Sequence, residues 1–424
     1  MIFLGGDTLL NEYKILLELV SAGAVGREPA VSEKVSGEVL TLAQENGVFG
    51  IVLPAAKKLY DRGLLEISDA EMKEQISAMA EKVINYSRRQ YAVNKVMKQL
   101  SAQGISCVML KGDILGVMYK NPDLRMSGDT DLLIDIKDEK KCLSFFKNEG
   151  AYVKKRTPSN NQSVIVHPTG GTFEVHVSMD TKQISEVWYD STPAITEPFR
   201  EVTVGGAYTY QTLGYTDGAV SLAFHFVKHF VGGIAHIRMI TDMLLYFSTY
   251  HDQIDFERFW NTIDRLKYGK IFRSLMYIGH EYYGFKNLES SEECKAFADK
   301  LLCDIGECCA YGYERLEESG GIYQEYSRRR YSTFKNGDYK KYQIKILILD
   351  AYTLIFKDKY EMMKLYPILL KRRYLLPFMY IYRAFSCVGN VIFGRSRKKT
   401  EKRDEKLKEL LNERMKLINE LDMI

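Results

Sequence analysis

A segment in which helix and strand signals alternate, with helical sequence on both sides, most restricts the folds open to this chain of 424 residues. Between Ile105 and Ser178, short aliphatic runs of strand length alternate with amphipathic stretches. Before this segment, and again from about Asp217 onward, apolar residues recur at the three- and four-residue spacing of helices. We therefore expect an α+β protein in which a small mixed β-sheet is flanked by N- and C-terminal helical regions.

Local signals place the elements of this pattern. Ser68 and Glu71 fit a capping box, which predicts a long helix from there to about Gly104. Strands are predicted for "ISCVML", "TDLLIDI", "SVIVH" and "TFEVHVS", and "PTGG" joins the last two as a hairpin. Helices are predicted for "DILGVMY" and for "DEKKCLSFFKNEG", which should end at Gly150.

The same patterns divide the chain into four parts. We expect a helical region at 1–92, the mixed core at 93–205, a helical domain at 206–365 and a basic, aromatic segment with a charged C-terminal helix at 366–424. Leucines of the last thirty residues fit heptad positions, but Arg414 takes one of them, which indicates only a short coiled-coil-like helix.

Composition excludes several classes of protein. With 46% hydrophobic and 27% charged residues the chain is typical of globular proteins. A net charge of +4 is too small to favour long nucleic acid as a partner. The seven cysteines are irregularly spaced without a CxxC pair, and the N-terminus lacks the basic region of a secretory signal. We therefore expect reduced thiols and a cytoplasmic location.

One apolar segment raises the question of a membrane. Tyr374 to Gly394 is apolar and aromatic, but Pro377 and Arg383 interrupt it, whereas a spanning helix needs about 20 largely uninterrupted apolar residues. A helix packed against the protein body is the favoured interpretation. A peripheral contact with a membrane surface is the alternative.

Two aspartates stand at the start of a strand that otherwise reads as buried. In "RMSGDTDLLIDI", Asp129 and Asp131 are two residues apart, so their side chains lie on one face of the strand. Carboxylates that close repel each other, and a divalent cation such as Mg²⁺ or Mn²⁺ would remove the conflict. This spacing therefore favours a metal site.

A second strand offers a third carboxylate. In "GTFEVHVS", Glu174 shares one face with Thr172, His176 and Ser178, while the other face is apolar. If this strand lies beside the aspartate strand, Asp129, Asp131 and Glu174 would meet. Three carboxylates can hold two metal ions, one activating a hydroxyl and the other stabilising a leaving pyrophosphate.

Residues suited to phosphate surround the aspartates. Lys111 and Gly112 lie where a strand turns into a helix, a place where free N–H groups attract phosphate. Lys111 adds a positive charge. Arg125, Ser127 and Gly128 directly precede Asp129 and could contact the same phosphates.

The combined motif resembles a known family. "MLKGDILGVMYKNPDLRMSGDTDLLIDI" is similar to the signature of the polymerase-β-like nucleotidyltransferase superfamily, and more closely to a bacterial family of uncharacterised nucleotidyltransferases with an LKG…R…DxDLL pattern. "LAQENGVFGIVLPAAKKL", "EVHVSM", "LAFHFVKHFVGGIAHIRMITDMLLYF" and "KRRYLLPFMYIYR" resemble other parts of that family, so the likeness extends to about residue 385. Two positions depart from it: Asp113 follows Gly112 where the superfamily has Ser or Gly, and Glu174 stands where Asp is usual.

The resemblance implies a function. It implies Mg²⁺- or Mn²⁺-dependent transfer of a nucleoside monophosphate from a nucleoside triphosphate, ATP by default, to a hydroxyl or phosphate of an acceptor. The acceptor would be a small molecule, a peptide or a protein. Asp129 and Asp131 would bind metal, with Glu174 completing the site. The alternative is a non-catalytic scaffold that keeps this fold and contacts a membrane or a partner protein through its C-terminal segment.

Further polar residues are candidates for the acceptor side of the site or for supporting roles. His225 and His229 are four apart on one predicted helix, but Phe226 stands where a zinc protease motif needs Glu, so packing near the site is favoured over zinc. Arg238 suits phosphate, or it pairs with Asp242 four residues on. His176 is either a partner of the carboxylates or a core histidine.

Overall fold

The computed structural model describes residues 6–156, 162–177, 195–231 and 234–306, and near the C-terminus 362, 366, 368–371, 373–392, 416–418 and 420–421. The chain forms two compact units, one of residues 1–230 and 234–310 and the other of 231–233 and 311–424. The four-part division expected from the sequence stays a prediction.

The described elements confirm the α+β class. The helices of the larger unit are α1 (Gly6–Val25), α2 (Glu38–Glu45), α3 (Phe49–Asp61), α4 (Asp69–Ala102), α5 (Asp113–Gly116), α6 (Glu139–Asn148), α7 (Tyr215–Val231), α8 (Ile237–Thr249), α9 (Phe256–Arg265) and α10 (Gly269–Glu281), with a further helix at 295–306. The strands are β1 (Val35–Ser36), β2 (Leu65–Glu66), β3 (Cys107–Met109), β4 (Asp129–Ile134), β5 (Tyr152–Lys154), β6 (Gln162–His167), β7 (Gly171–His176), β8 (Arg200–Val204) and β9 (Tyr208–Thr212).

Helix α4 begins and ends where the sequence predicts. The backbone N–H of Glu71 donates to Ser68 Oγ at 3.2 Å, and the backbone N–H of Ser68 donates to Glu71 Oε2 at 2.8 Å. This reciprocal pair satisfies two N–H groups that the first helical turn leaves unbonded. Gly104 stands just beyond the helix with φ +73°, a left-handed conformation that favours glycine.

Among the described residues, the larger sheet has seven strands in the order β5-β6-β7-β4-β3-β9-β8, and β1 and β2 form a separate parallel pair. β4 pairs in parallel with β7 and antiparallel with β3, so the two carboxylate-bearing strands are neighbours, which was the condition for Glu174 to meet the aspartates. β6 and β7 form the predicted hairpin. The β8–β9 hairpin was not predicted, although "REVTVGGAYTYQT" alternates around a Gly-Gly turn, and it extends the sheet beyond residue 205 to Thr212.

Apolar packing determines which face of β7 carries the polar residues. Phe173 and Val175 are fully buried, and the Phe173 ring lies 5.1 Å from that of Phe146 on α6. Because side chains alternate along a strand, this contact turns Glu174 and His176 to the opposite face. Ser178, predicted to share that face, lies outside the described residues.

The smaller unit contains the helices Ile368–Lys371 and Leu376–Ile392 among its described residues. None of the described helices is long and apolar enough to cross a membrane. Most of the C-terminal heptad pattern lies outside the described residues, but Leu417 and Leu421 within it are buried.

Candidate active site

The register of β4 and β7 brings two carboxylates together. Asp131 lies directly opposite Glu174, and Asp129 lies opposite Thr172 one step along the same face. Side-chain ligand atoms of Asp131, Glu174 and His176 all lie within 4.8 Å of one another. Of the three carboxylates expected to meet, Asp131 and Glu174 belong to this group with His176, whereas Asp129 lies outside it.

Lys111 balances part of this negative charge. Its Nζ lies 2.6 Å from Asp131 Oδ2 and 3.5 Å from Asp129 Oδ2. Burial alone would lower the pKa of Lys111, but Asp131 and Asp129 outweigh burial and raise it. Burial also opposes ionisation of Asp131, but Lys111 and His176 hold its pKa well below the usual range. Lys111 and Asp131 therefore form a charged pair in the wall of the sheet.

The negative charge of Glu174 is less well balanced by nearby positive charge than that of Asp131. Burial and the charge of Asp131 raise its pKa. His176 Nε2 lies 3.2 Å from Asp131 Oδ1 but 4.0 Å from Glu174 Oε2, so the imidazole contacts Asp131 more closely. Of the two interpretations of His176, contact with the carboxylates is the one that the geometry favours. A hydrogen-bonded neighbour of this kind fixes the orientation of a carboxylate.

The donor set fits a divalent cation. Asp131 and Glu174 supply the oxygen atoms that Mg²⁺ and Mn²⁺ prefer, and Asp129 follows on the same face of β4. Burial, and next the charge of Asp131, raise the pKa of Glu174, and a cation between the two carboxylates would offset their repulsion.

Gly112 forms a turn that only glycine adopts readily. Its φ is +83°, and a Cβ atom there would lie 3.3 Å from the backbone oxygen of Asp129. Ser127 Oγ donates to that same oxygen at 2.9 Å, so the turn and the start of β4 are packed together. A Cβ atom on Gly128, in contrast, would meet open space. Helix α5 has only four residues, so its dipole adds little to phosphate binding here.

The acid that follows Gly112 points away from the site. Asp113 is buried and accepts hydrogen bonds from the hydroxyl of Tyr86 at 2.7 Å and from Arg89 Nη1 at 3.4 Å, both on α4. Arg89 Nη2 also donates to Thr130 Oγ1 at 2.6 Å. Asp113 thus connects α4 to the site from behind, and its charge does not face a bound phosphate.

Arg125 forms an ion pair with Asp242, a residue distant in sequence. It is buried, its Nε and Nη2 donate to the carboxylate of Asp242, and its Nη1 donates to the carbonyl of Gly112 at 3.1 Å. The Tyr119 hydroxyl donates to Asp242 Oδ1 at 2.7 Å. Burial disfavours the carboxylate form of Asp242, but Arg125 lowers its pKa nevertheless. Arg125 therefore holds the Gly112 turn against α8, and its charge is already neutralised by Asp242 rather than available for phosphate.

Arg238, unlike Arg125, has no ion-pair partner among the described residues. Asp242, its possible partner four residues on, is taken by Arg125, and within the described part of the chain no carboxylate lies within ion-pair distance of Arg238. Its Nη1 donates to the carbonyl of Met126 at 3.3 Å. Burial, and next the charge of Arg125, lower the pKa of Arg238. A half-buried cation without an ion-paired acid is suited to an anionic ligand.

These side chains surround one cavity of about 110 Å³. One side is lined by Lys111, Gly112, Arg125, Ser127 and Asp129, and the other by His225, His229, His236, Arg238 and Asp242. The structure therefore brings together predicted residues of the β3–β4 region and of α7 and α8. Asp129 lines the cavity as well as belonging to the carboxylate face, so the carboxylate site and the cavity are continuous.

Two histidines of the cavity, His225 and His236, have pKa values below the ordinary range and are neutral at pH 7. The rings of His225 and His229 have centroids 4.4 Å apart. Burial, followed by the charge of Lys111, lowers the pKa of His225 well below its ordinary value. Among the described residues, no third ligand completes a zinc site with this pair. His236 was missed from the sequence: its Nδ1 is buried without a hydrogen-bond partner, and burial lowers its pKa to about 3. Its only signal was its position directly before α8.

A mixed sheet with carboxylates on two adjacent strands, next to a cavity lined by Lys111 and Arg238, is suited to nucleotidyl transfer, and the family comparison assigns the chain to the nucleotidyltransferases. Residues 33–284 match the model of the family described as "uncharacterised nucleotidyltransferase", which is more than half of the chain, and the protein belongs to that family. No curated protein and no solved structure matches the chain. The resemblance of "KRRYLLPFMYIYR" lies beyond the matched residues, and it stays a prediction together with the bacterial origin.

Proposed function

We propose that this enzyme transfers a nucleoside monophosphate from a nucleoside triphosphate, ATP by default, to a hydroxyl or phosphate group of a small molecule, peptide or protein. The observation that carries the proposal is the pairing of Asp131 with Glu174 across β4 and β7, beside the cavity lined by Lys111 and Arg238. The carboxylate face would hold metal, and the cavity would hold phosphate.

In this proposal Asp129, Asp131 and Glu174 hold Mg²⁺ or Mn²⁺. Bound there, two such ions would lower the pKa of the acceptor hydroxyl and stabilise the charge of the leaving pyrophosphate. Glu174 is also suited to take the acceptor proton, because its carboxylate lies opposite Asp131 on the same face of the sheet. His176 keeps Asp131 in place.

Phosphate binding is assigned to two cations that line the cavity, Arg238 and Lys111. Arg238 lacks an acid partner among the described residues, and Lys111 lies at the boundary of the carboxylate face and the cavity. Ser127 and the Gly112 turn supply polar backbone and hydroxyl groups at the same wall. Arg125 supports this wall through Gly112 and Asp242.

The reaction balances simply. An acceptor oxygen bonds to the α-phosphorus of the triphosphate, the bond from that phosphorus to the bridging oxygen breaks, and pyrophosphate leaves with its electron pair. The acceptor proton passes to Glu174 and then to solvent. The rigid strand positions of the carboxylates hold the reacting groups in line.

The test uses nucleoside triphosphates labelled at the α-phosphate, with Mg²⁺ or Mn²⁺ and pools of small molecules, peptides and the protein itself. The wild type should transfer label, Asp129→Asn should abolish transfer, and Arg238→Gln should raise the KM for the triphosphate by about tenfold or more. Arg88→Gln is the matched control, since Arg88 is exposed on α4 away from the cavity. Absence of label transfer, together with no rise in thermal stability on adding Mg²⁺ and nucleotide, would overturn the proposal.

A further inference from the structure

Residues 374–382, at the start of the helix Leu376–Ile392, expose an apolar stripe to solvent. The exposed fractions are 70% for Tyr374, 65% for Phe378, 56% for Ile381 and 60% for Tyr382. These positions follow the spacing of four, seven and eight residues that places side chains on one face of a helix. Tyr374 belongs to the turn Arg373–Leu375 that leads directly into the helix.

This arrangement reverses the usual pattern of a surface helix, whose solvent face is polar. Single exposed apolar residues are ordinary on protein surfaces, but a continuous aromatic stripe marks a surface that binds something. The stripe lies beyond residue 284, where the match to the family model ends.

The charge around the helix indicates the partner. From residue 362 to residue 400 the sequence contains nine lysines and arginines and no aspartate or glutamate, in a chain whose net charge is only +4. Basic residues stand on both sides of the helix, at 371–373 and at 395–399. Aromatic residues on one face with basic flanks are characteristic of helices that lie in the interface of a bilayer with anionic lipids.

We propose that the helix Leu376–Ile392 binds flat on a membrane surface rich in anionic lipids, with its aromatic stripe at the boundary of headgroups and acyl chains. A second copy of the chain fits less well, because pairing two such helices would bring like charges together. Its 17 residues rise about 26 Å, less than the roughly 30 Å of a bilayer core, and Arg383 interrupts the apolar run. The inference stands independently of nucleotidyl transfer.

Sedimentation of the full chain with vesicles tests this inference. One set contains phosphatidylcholine alone and the other phosphatidylcholine with phosphatidylserine at about three to one, so that charge is the variable. We expect the protein to pellet with the anionic vesicles and to remain in solution with the neutral ones. High salt should weaken the binding, because screening reduces the attraction of the basic flanks.

Two variants separate the stripe from the charge. Tyr374→Ser with Phe378→Ser should weaken binding to anionic vesicles by about tenfold or more, because two exposed aromatic side chains no longer enter the interface. Neutralising residues 371–373 to glutamine should weaken it by a similar factor. The matched controls are Tyr91→Ser with Ile84→Ser, equally exposed residues of α4, and Lys73, Lys95 and Lys98 to glutamine on the same helix.

Several outcomes would overturn the proposal. The wild type remaining in solution with anionic vesicles would do so, as would equal binding to neutral ones. A stripe variant that binds like its α4 control would show that the stripe does not enter the membrane. A dimer that the stripe variant alone dissociates, without lipid binding, would assign the face to a second copy of the chain.

Discussion

The contrast between Asp131→Asn and Asp129→Asn tests how charge is arranged at the carboxylate face. Both variants should abolish nucleotidyl transfer, since both residues are proposed to hold metal. Their effects on stability should differ, because the two carboxylates are in different surroundings. Asp131 is fully buried with Lys111 Nζ at 2.6 Å, whereas the side chain of Asp129 is 40% exposed and lies 3.5 Å from the same amine.

The size of the difference follows from these distances. At an effective dielectric constant of about 20, the attraction between Lys111 and Asp131 at 2.6 Å is about 6 kcal/mol. Glu174 lies within 4.8 Å of Asp131, and relief of that repulsion returns about 3 kcal/mol or more. Asp131→Asn should therefore lower the free energy of unfolding by about 3 kcal/mol, the lower end for a broken buried pair. Asp129→Asn should change it by less than about 1 kcal/mol, as for an exposed pair.

Urea unfolding followed by circular dichroism at pH 7, with a chelator present, measures both values. The chelator removes metal, so that a loss of ligand binding does not enter the comparison. The reasoning is refuted if Asp131→Asn unfolds at the wild-type urea concentration, or if Asp129→Asn is destabilised equally. Either result would mean that Lys111 does not hold Asp131 as the ion pair described.

Two further predictions concern the turn and the contact behind it. Gly112→Ala should lower the free energy of unfolding by about 1–2 kcal/mol, because alanine disfavours the positive φ, and it should raise the KM for nucleotide. Gly128→Ala, where a Cβ atom meets open space, should change the free energy of unfolding by less than about 0.5 kcal/mol. Thermal unfolding and kinetics check both variants, and equal losses would contradict the role of the turn. Asp242→Asn should cost about 3–5 kcal/mol at pH 7, because Arg125 loses its buried partner. The folded pKa of Asp242 lies below its unfolded value near 4, so its stabilisation is present above about pH 4 and lost as pH falls through the folded pKa. Urea unfolding at pH 7 and pH 3 should show the difference between variant and wild type shrinking in acid, and a constant difference would contradict this assignment.

Local signals in the sequence predicted much of the site. The two-residue period of a strand placed Asp129 with Asp131 and Glu174 with His176, and the hairpin signal "PTGG" placed β6 beside β7. The parallel register of β4 with β7 could not be read in this way, because it depends on the tertiary arrangement of strands separated by α6. The sequence predicted that Glu174 would meet the aspartates only if β7 lay beside β4, and the structure shows that these two strands are neighbours.

Partner choice among charged residues was the part beyond reach of sequence spacing. The spacing of Arg238 and Asp242 allowed either an intrahelical pair or phosphate binding by Arg238, and in the structure Asp242 accepts from Arg125, 117 residues away. Arg125 was expected to contact phosphate, but its guanidinium forms an ion pair with Asp242 instead. Helical spacing shows which residues can meet within a helix, but a buried partner from elsewhere in the fold decides which of them do.

The contact between Arg125 and Asp242 also affects how the site forms during synthesis on the ribosome. The chain emerges from its N-terminus, so β3 and β4, with Lys111 and both aspartates, leave the exit tunnel well before α8 does. Until Asp242 appears, Arg125 has no carboxylate to hold and the Gly112 turn lacks its support from behind. A nascent or truncated chain that stops short of α8 would carry the carboxylates without the cavity, and so could not consume nucleotide before synthesis of that helix is complete.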